Sequence, residues 1–427
     1  MMLNDQVILG ADCMYSTDCE ETGINNNILV CGGSGSGKTM SISEPRLINT
    51  YNSNLIVTVT KRRLVDKYKP LLKKRGYEVH DLNFIDPNAG DVCYDPLRYV
   101  KGYSDIAFLS EAIVRSNPRK HKSNSADPYW DEAAISLLSA EIAYTMMNNE
   151  NATFADVLAL HDKLTIEERG DSIRTSLDAD FDFVNKKNPS AYAATCWKSF
   201  RQLPIKTASC VYGALNTTID TLFTPELRRM ISTKSSVDFK QLASRKTVLF
   251  VSTSAVNPAL NCFVSMFYAQ AFKQLFEFAE SQPNGMLPFP THILCDDFAT
   301  GSKIQNFAEY ISIFREKRIS VTLLLQSESQ LAGLYGSDEA TTIINNCDTY
   351  VFMGSQDLRT GQSISLRMNW PLDEVLYMPI GQMIVFRRGQ RPIVTTRYDI
   401  RSNHLYQWAT YQYESGYSSK RDDRSAG

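Results

Sequence analysis

Short apolar runs separated by segments of helical spacing set the rhythm of the first hundred residues: ILVC at 28–31, LIVTV at 55–59 and YEVHDL at 77–82. Strands buried on both faces read as continuous apolar runs, so this alternation predicts βαβ units around a mostly parallel sheet. Beyond about 104 the rhythm changes. Asp127 and Pro128 form a cap and first turn, followed by Trp130, Ala134, Leu137, Leu138 and Ile142 on one apolar stripe. Thr153 with Asp156, and Thr165 with Glu168, have the spacing of capping boxes. Asn188-Pro189 opens another helix, and 205–223 continues the theme. No strand-like run interrupts this block, which predicts an all-α domain inserted into the sheet. Strands return with TVLFVST at 247–253, followed by a long helix over about 257–281 and strands at 292–295, 320–325, 348–353 and 383–387. From about 414 the chain reads ESGYSSKRDDRSAG, a polar tail expected to be disordered. The expected organisation is an α/β domain in two parts, 1–103 and 241–413, around an all-α insertion at 104–240, with a tail at 414–427.

Composition narrows the class. A chain of 427 residues, 43% hydrophobic and 22% charged, buries a sizeable core and has the length of two domains. Its longest apolar runs are strand-length, well below the ~18 residues of a membrane span. No signal peptide heads the sequence. The 9 cysteines are scattered without a CxxC pair, which points to reduced cytosolic thiols rather than a disulfide framework or a zinc site. The 5 histidines lie far apart, which argues against a multi-histidine metal centre. With a net charge of −2, any polyanion partner must meet local basic clusters: KRR at 61–63, KKR at 73–75, RKHK at 119–122 or FREKR at 314–318. Such clusters are more often solvated faces than binding sites.

One stretch carries specific chemistry. After the apolar run ILVC, residues 32–39 read GGSGSGKT and lead into a helical segment, which fits G-x-x-x-x-G-K-[ST]. Backbone N–H groups can wrap a phosphate chain only in conformations that side chains obstruct, hence the glycines. The helix that follows adds its positive N-terminal end. The pattern assigns nucleotide binding to Gly32, Gly33, Ser34, Gly35, Ser36, Gly37, Lys38, Thr39 and Met40, with Lys38 on the β and γ phosphates and the Thr39 hydroxyl on Mg²⁺. Such a loop needs a carboxylate from a neighbouring strand to complete the metal site. Asp296, ending the apolar run HILC, supplies it, and Asp297 is placed to activate the attacking water. Gln326 ends the next apolar run, SVTLLL, where strand carboxyl ends face the ligand in a parallel sheet. It is read either as a γ-phosphate sensor or as a turn glutamine.

With these stations in order, the chain resembles the TraG-like coupling proteins of type IV secretion, the conjugal DNA-transfer ATPases. The resemblance runs from about 26 to 400 and includes GGSGSGKT, GYEVHDLNFIDP, YDPL at 94–97, DPYWDEAA at 127–134, CDDFAT, ISVTLLLQSESQL and NNCDTYVFMGSQD. It implies a RecA-like P-loop NTPase domain with an inserted all-α domain, working with ATP and Mg²⁺ in a ring, typically a homo-hexamer, at the cytoplasmic face of the cell membrane. The implied partners are single-stranded or relaxase-bound DNA, relaxosome or effector proteins, and components of the secretion channel. By position, Arg315 matches the arginine that reaches a neighbour's nucleotide, and Gln326 matches the sensor glutamine; the alternative for Arg315 is a surface arginine on a helix. Three departures stand out. Asp296-Asp297 replaces the usual Asp-Glu pair. VTKRRL at 59–64 keeps Lys61 but loses the acids of the family's DPKGEL-like segment. The two membrane helices that precede the loop in relatives are not found, which leaves a cytoplasmic fragment or a form anchored by a partner. The resemblance leaves open a translocation motor, an ATP-ordered substrate-receptor platform, or an FtsK/HerA-like DNA translocase.

Overall fold

A computed structural model describes residues 5–115, 128–169, 172–233, 236–254, 257–298 and 303–425. The strands are β1 (Gln6–Gly10), β2 (Cys13–Ser16), β3 (Ile28–Cys31), β4 (Asn54–Val59), β5 (Glu78–Asn83), β6 (Ile166–Arg169) and β7 (Ser172–Thr175). After the helical block come β8 (Thr247–Ser252), β9 (Thr291–Cys295), β10 (Ile319–Leu325), β11 (Thr349–Phe352), β12 (Gln382–Arg387) and β13 (Ile393–Thr396). Nine of them form one sheet in the order β13-β12-β11-β3-β10-β9-β4-β8-β5. Pairing is parallel from β11 through β5, while β12 and β13 add on antiparallel. The strands β3, β4, β8 and β9 are buried at every residue, which is why they show in the sequence as unbroken apolar runs.

The chain divides into two compact units. The first comprises Met1–Asn83, Asp238–Ala255 and Ala271–Gly427 and holds the large sheet. Its core includes Leu55, Val57, Val65, Tyr68, Val248, Phe250, Leu294, Leu324 and Val351. The final helix, His404–Ser425, docks on the helix Arg63–Lys74: Ala409 is fully buried, and the Lys67 ammonium sits 3.4 Å from the centre of the Tyr406 ring. The backbone is therefore helical over most of the tail expected to be disordered. The basic run at 73–75 serves this packing as well, with Lys74 over Trp408 and Arg75 donating to the Ile48 and Thr50 carbonyls.

The second unit comprises Phe84–Val237 and Val256–Gln270, so the insertion starts some twenty residues earlier than 104 and takes in the first half of the helix Pro258–Glu280. Its described residues are mostly helical, as expected of the insertion, with one short antiparallel ribbon, β6–β7. Thr165 and Glu168, expected to cap a helix, belong to that ribbon: Thr165 is bonded to Ser176 across it and Glu168 lies in β6. The capping box of Thr153 and Asp156 is present, with the Thr153 amide 2.8 Å from the Asp156 carboxylate. The helix expected to open at Asn188-Pro189 begins at Tyr192. Ala134, Leu137, Leu138 and Ile142 are buried as the stripe requires, but Trp130 is 38% exposed beside Tyr129. Asp127 and the RKHK cluster lie outside the described residues.

The YDPL segment organises this unit. Asp95 Oδ1 accepts from the Leu97 amide at 3.0 Å and from the Phe154 amide at 3.1 Å, capping a tight turn and the start of the helix Phe154–His161 together. Its own amide donates to Ser236 Oγ. Tyr94 donates its hydroxyl to Gln270, while its ring packs on Phe84, Tyr99, Phe263 and Phe267.

Candidate nucleotide site

Parallel pairing brings the carboxyl ends of β3, β9, β10 and β11 to one edge of the sheet, and the site is built there. β3 runs into the loop Gly32–Thr39. The loop is tied to its neighbours: the Gly32 amide donates to the Leu325 carbonyl at 3.1 Å, and the Gly33 amide to Gly354 at 2.8 Å. Gly37 adopts φ +83°, in the left-handed region that a Cβ penalises. At Gly32 a Cβ would lie 2.9 Å from Met353 Cβ, so no side chain fits there. Ser34 and Gly35 are exposed at the tip, and Met40 packs partly against the core.

Lys38 is buried, and its ammonium folds back onto the Gly32 and Gly33 carbonyls at 2.6 and 3.2 Å. Burial pulls its pKa below the ordinary lysine value, while the charges of Asp297 and Asp296 work against that. Thr39 Oγ1 donates to Asp296 Oδ2 at 3.0 Å, so residues 257 apart in sequence meet although β10 lies between their strands. Burial and the charge of Asp297 raise the Asp296 pKa, opposed by the Thr39 hydroxyl and Lys38. Asp297 follows in the left-handed region at φ 53°, its amide donating to Asp296 Oδ1. Gln326 directly follows Leu325, the residue that anchors Gly32, and its carbonyl faces the Cys31 thiol.

Arg315 is not part of this cluster. It is exposed in the turn Phe314–Lys317 that precedes β10, whereas Gln326 follows β10. Seven extended residues separate the two ends of that strand by roughly 20 Å. There Arg315 lines a cavity of about 760 Å³ with Asp18, Arg46, His292 and Arg318.

Sequence reasoning missed Arg397. β12 and β13 reverse direction twice, so the end of β13 returns to the same sheet edge, and the Arg397 guanidinium stands 3.0 Å from where a Cβ on Gly37 would be. The only sequence signal is an arginine after the short run IVTT. Among the described residues, no group of three or more His, Cys, Asp or Glu side chains is placed to hold a metal by itself, and no helix is long and apolar enough to cross a membrane.

Solved structures share this architecture. The plasmid coupling protein TrwB, in complex with the non-hydrolysable ATP analogue ADPNP, matches with a TM-score of 0.65 at 16% identity, covering 87% of this chain and 85% of that one. TrwB in complex with ADP and Mg²⁺ matches at 0.64 and 16%, with the same coverage. VirB4 of Thermoanaerobacter pseudethanolicus matches at 0.60 and 12%, covering 94% of this chain and 98% of that one. At such identities the likeness establishes the fold, a RecA-like P-loop NTPase domain bearing a helical insertion. No curated protein sequence matches. The family model for type IV secretory system conjugative DNA transfer matches residues 4–368, and the chain belongs to that family.

Proposed function

We propose that this chain is an ATP-driven coupling protein that delivers conjugative DNA, with its relaxase, or protein substrates to a type IV secretion channel. The observation that carries the reading is the 3.0 Å contact between Thr39 Oγ1 and Asp296 Oδ2, beside a buried lysine at the mouth of a glycine-rich loop. These residues fit a magnesium-bound triphosphate. One hydroxyl and one carboxylate are too few donors to hold Mg²⁺ alone, and Mg²⁺ is ordinarily bound by one or two carboxylates plus substrate phosphates. The TrwB structures bear ADPNP in one case and ADP with Mg²⁺ in another, which supports the same ligands here.

In this reading the amides of Gly32 to Met40, the last of them in the first turn of the helical segment that begins at Thr39, bind the phosphates. Lys38 turns from the Gly32 and Gly33 carbonyls to the terminal phosphates. Thr39 and Asp296 would hold Mg²⁺, which when bound would neutralise charge on the phosphate oxygens. Asp297 accepts a proton from the attacking water, and Gln326 senses the γ position from the end of β10. Arg315, at the opposite edge of its own sheet, serves the nucleotide of a neighbour, which requires a ring; the family resemblance points to six copies. A membrane location then comes from an anchor or a partner.

A second reading, a receptor platform with slow hydrolysis, draws on Asp297, whose side chain is one methylene shorter than the usual glutamate. The deciding experiment is ATP turnover with and without single-stranded DNA, at protein concentrations that form rings. DNA-stimulated turnover that Lys38→Ala abolishes is the expected result. ATP binding without turnover under any ring-forming condition overturns the motor in favour of the platform.

A further inference from the structure

We propose that Arg397 is a second cationic ligand of the nucleotide's phosphate chain, supplied in cis from the antiparallel edge of the sheet. The proposal rests on the nucleotide site described above. Three observations carry it. First, topology delivers Arg397 to the loop: β11, β12 and β13 form an antiparallel meander, so the carboxyl end of β13 lies on the same edge as the end of β3. The Arg397 amide donates to the Gly381 carbonyl at 2.9 Å, fixing the backbone from which the side chain reaches.

Second, the guanidinium lies against the loop itself. Its Nη1, Cζ and Nε atoms stand 3.0, 3.4 and 3.6 Å from the position a Cβ on Gly37 would take. Gly37 immediately precedes Lys38, so the arginine flanks the loop where phosphate-binding amides gather. The glycine serves two purposes here: its φ of +83° is one that L side chains rarely adopt, and its bare Cα leaves room for the guanidinium.

Third, the guanidinium is not used up by the protein. Arg397 Nε is buried and has no hydrogen-bond partner among the described residues, although arginine nitrogens buried without partners are costly. A planar donor fork with spare N–H groups beside a phosphate loop suits polyphosphate oxygens, which arginine binds in bidentate fashion. Lys38 and Arg397 would then hold the phosphate chain from two sides, the first from the loop and the second from β13.

The test is equilibrium binding, read by calorimetry on the full chain, of Mg·ATP and of Mg·tripolyphosphate, a probe with phosphates and no base. Wild type is compared with Arg397→Ala, Arg397→Lys and Lys38→Ala, with ligand-free thermal melts to show that each variant is folded. Expected are a tenfold or greater loss for Arg397→Ala with both ligands, by the same factor, and partial recovery in Arg397→Lys. Unchanged ATP affinity in a folded Arg397→Ala overturns the proposal. Loss for ATP without loss for tripolyphosphate also overturns it, since the arginine would then be touching the base. Should Arg397→Ala prove unfolded, Arg397→Lys carries the same comparison. Failure of the site reading is a different result: Lys38→Ala would bind as well as wild type, or wild type would bind neither ligand.

Discussion

Neutralising one buried carboxylate should flatten the pH dependence of the helical unit. Asp95 is completely buried, and desolvation pushes its pKa from 3.8 up to about 7, against the opposing pull of the Leu97 and Phe154 amides and of Arg98. The sign follows from proton counting. Between about pH 4 and pH 7 the folded unit keeps a proton on Asp95 that the unfolded chain has released, so stability falls as pH rises through this window and levels off above it. At about 1.36 kcal/mol per pH unit, the full difference is about 4 kcal/mol, and about 2.3 kcal/mol of it falls between pH 5 and pH 7, the slope easing as the folded carboxyl begins to ionise. Asp95→Asn keeps the oxygen that accepts both amides and removes the titration. The burial of Glu141 and the pairing of His161 with it raise both of their pKa values, adding a slope of the same sign, so the informative quantity is wild type minus variant. Trp197, buried and stacked 4.0 Å from Phe181, reports on this unit once Trp130, Trp370 and Trp408 are changed to phenylalanine. Urea unfolding of that background, with and without Asp95→Asn, is followed from pH 5 to pH 8. A variant whose pH profile parallels the parent's refutes the reasoning. Asp95→Ala, which strips the cap from two segments, should lie about 1–3 kcal/mol below Asp95→Asn at every pH, since neither variant titrates at this position.

Two further outcomes separate the roles assigned around the nucleotide. Asp297→Glu should leave ATP turnover unchanged or raise it, because the added methylene brings the carboxylate closer to water; a steady-state rate more than tenfold lower would show that the short side chain is required. Arg315→Ala should bind ATP like wild type yet lose turnover by roughly 10³–10⁵-fold, the range seen for arginines acting in trans. Mixing it with Lys38→Ala, itself inactive, should restore activity in mixed rings, whereas no recovery in rings shown to be mixed would place Arg315 outside the neighbour's site.

Why some of this was legible in the sequence and some was not follows from where the determining contacts lie. The strands β3, β4, β8, β9 and β10 are sandwiched on both faces, so burial alone writes them as apolar runs, and the glycines of the loop are demanded by local backbone geometry. The strand β13 is mostly exposed and carries no such run, and β6 shows three exposed residues of four, leaving the pair Thr165 and Glu168 to imitate a helix cap. The early start of the insertion is set by Asp95 meeting Phe154 and by Tyr94 meeting Gln270, 59 and 176 residues away, which no local pattern encodes. Arg397 is the sharpest case. Nothing about an arginine after IVTT marks a phosphate ligand. Its position depends on two antiparallel reversals at the sheet edge, on the anchoring of its amide at Gly381, and on the absence of a side chain at Gly37. A motif finds the part of a site that one continuous stretch of backbone must build. Asp296 is also distant in sequence but is betrayed by the buried apolar run it ends, whereas a group such as Arg397, carried in on an exposed edge strand through two antiparallel pairings, becomes visible only when the fold is in hand.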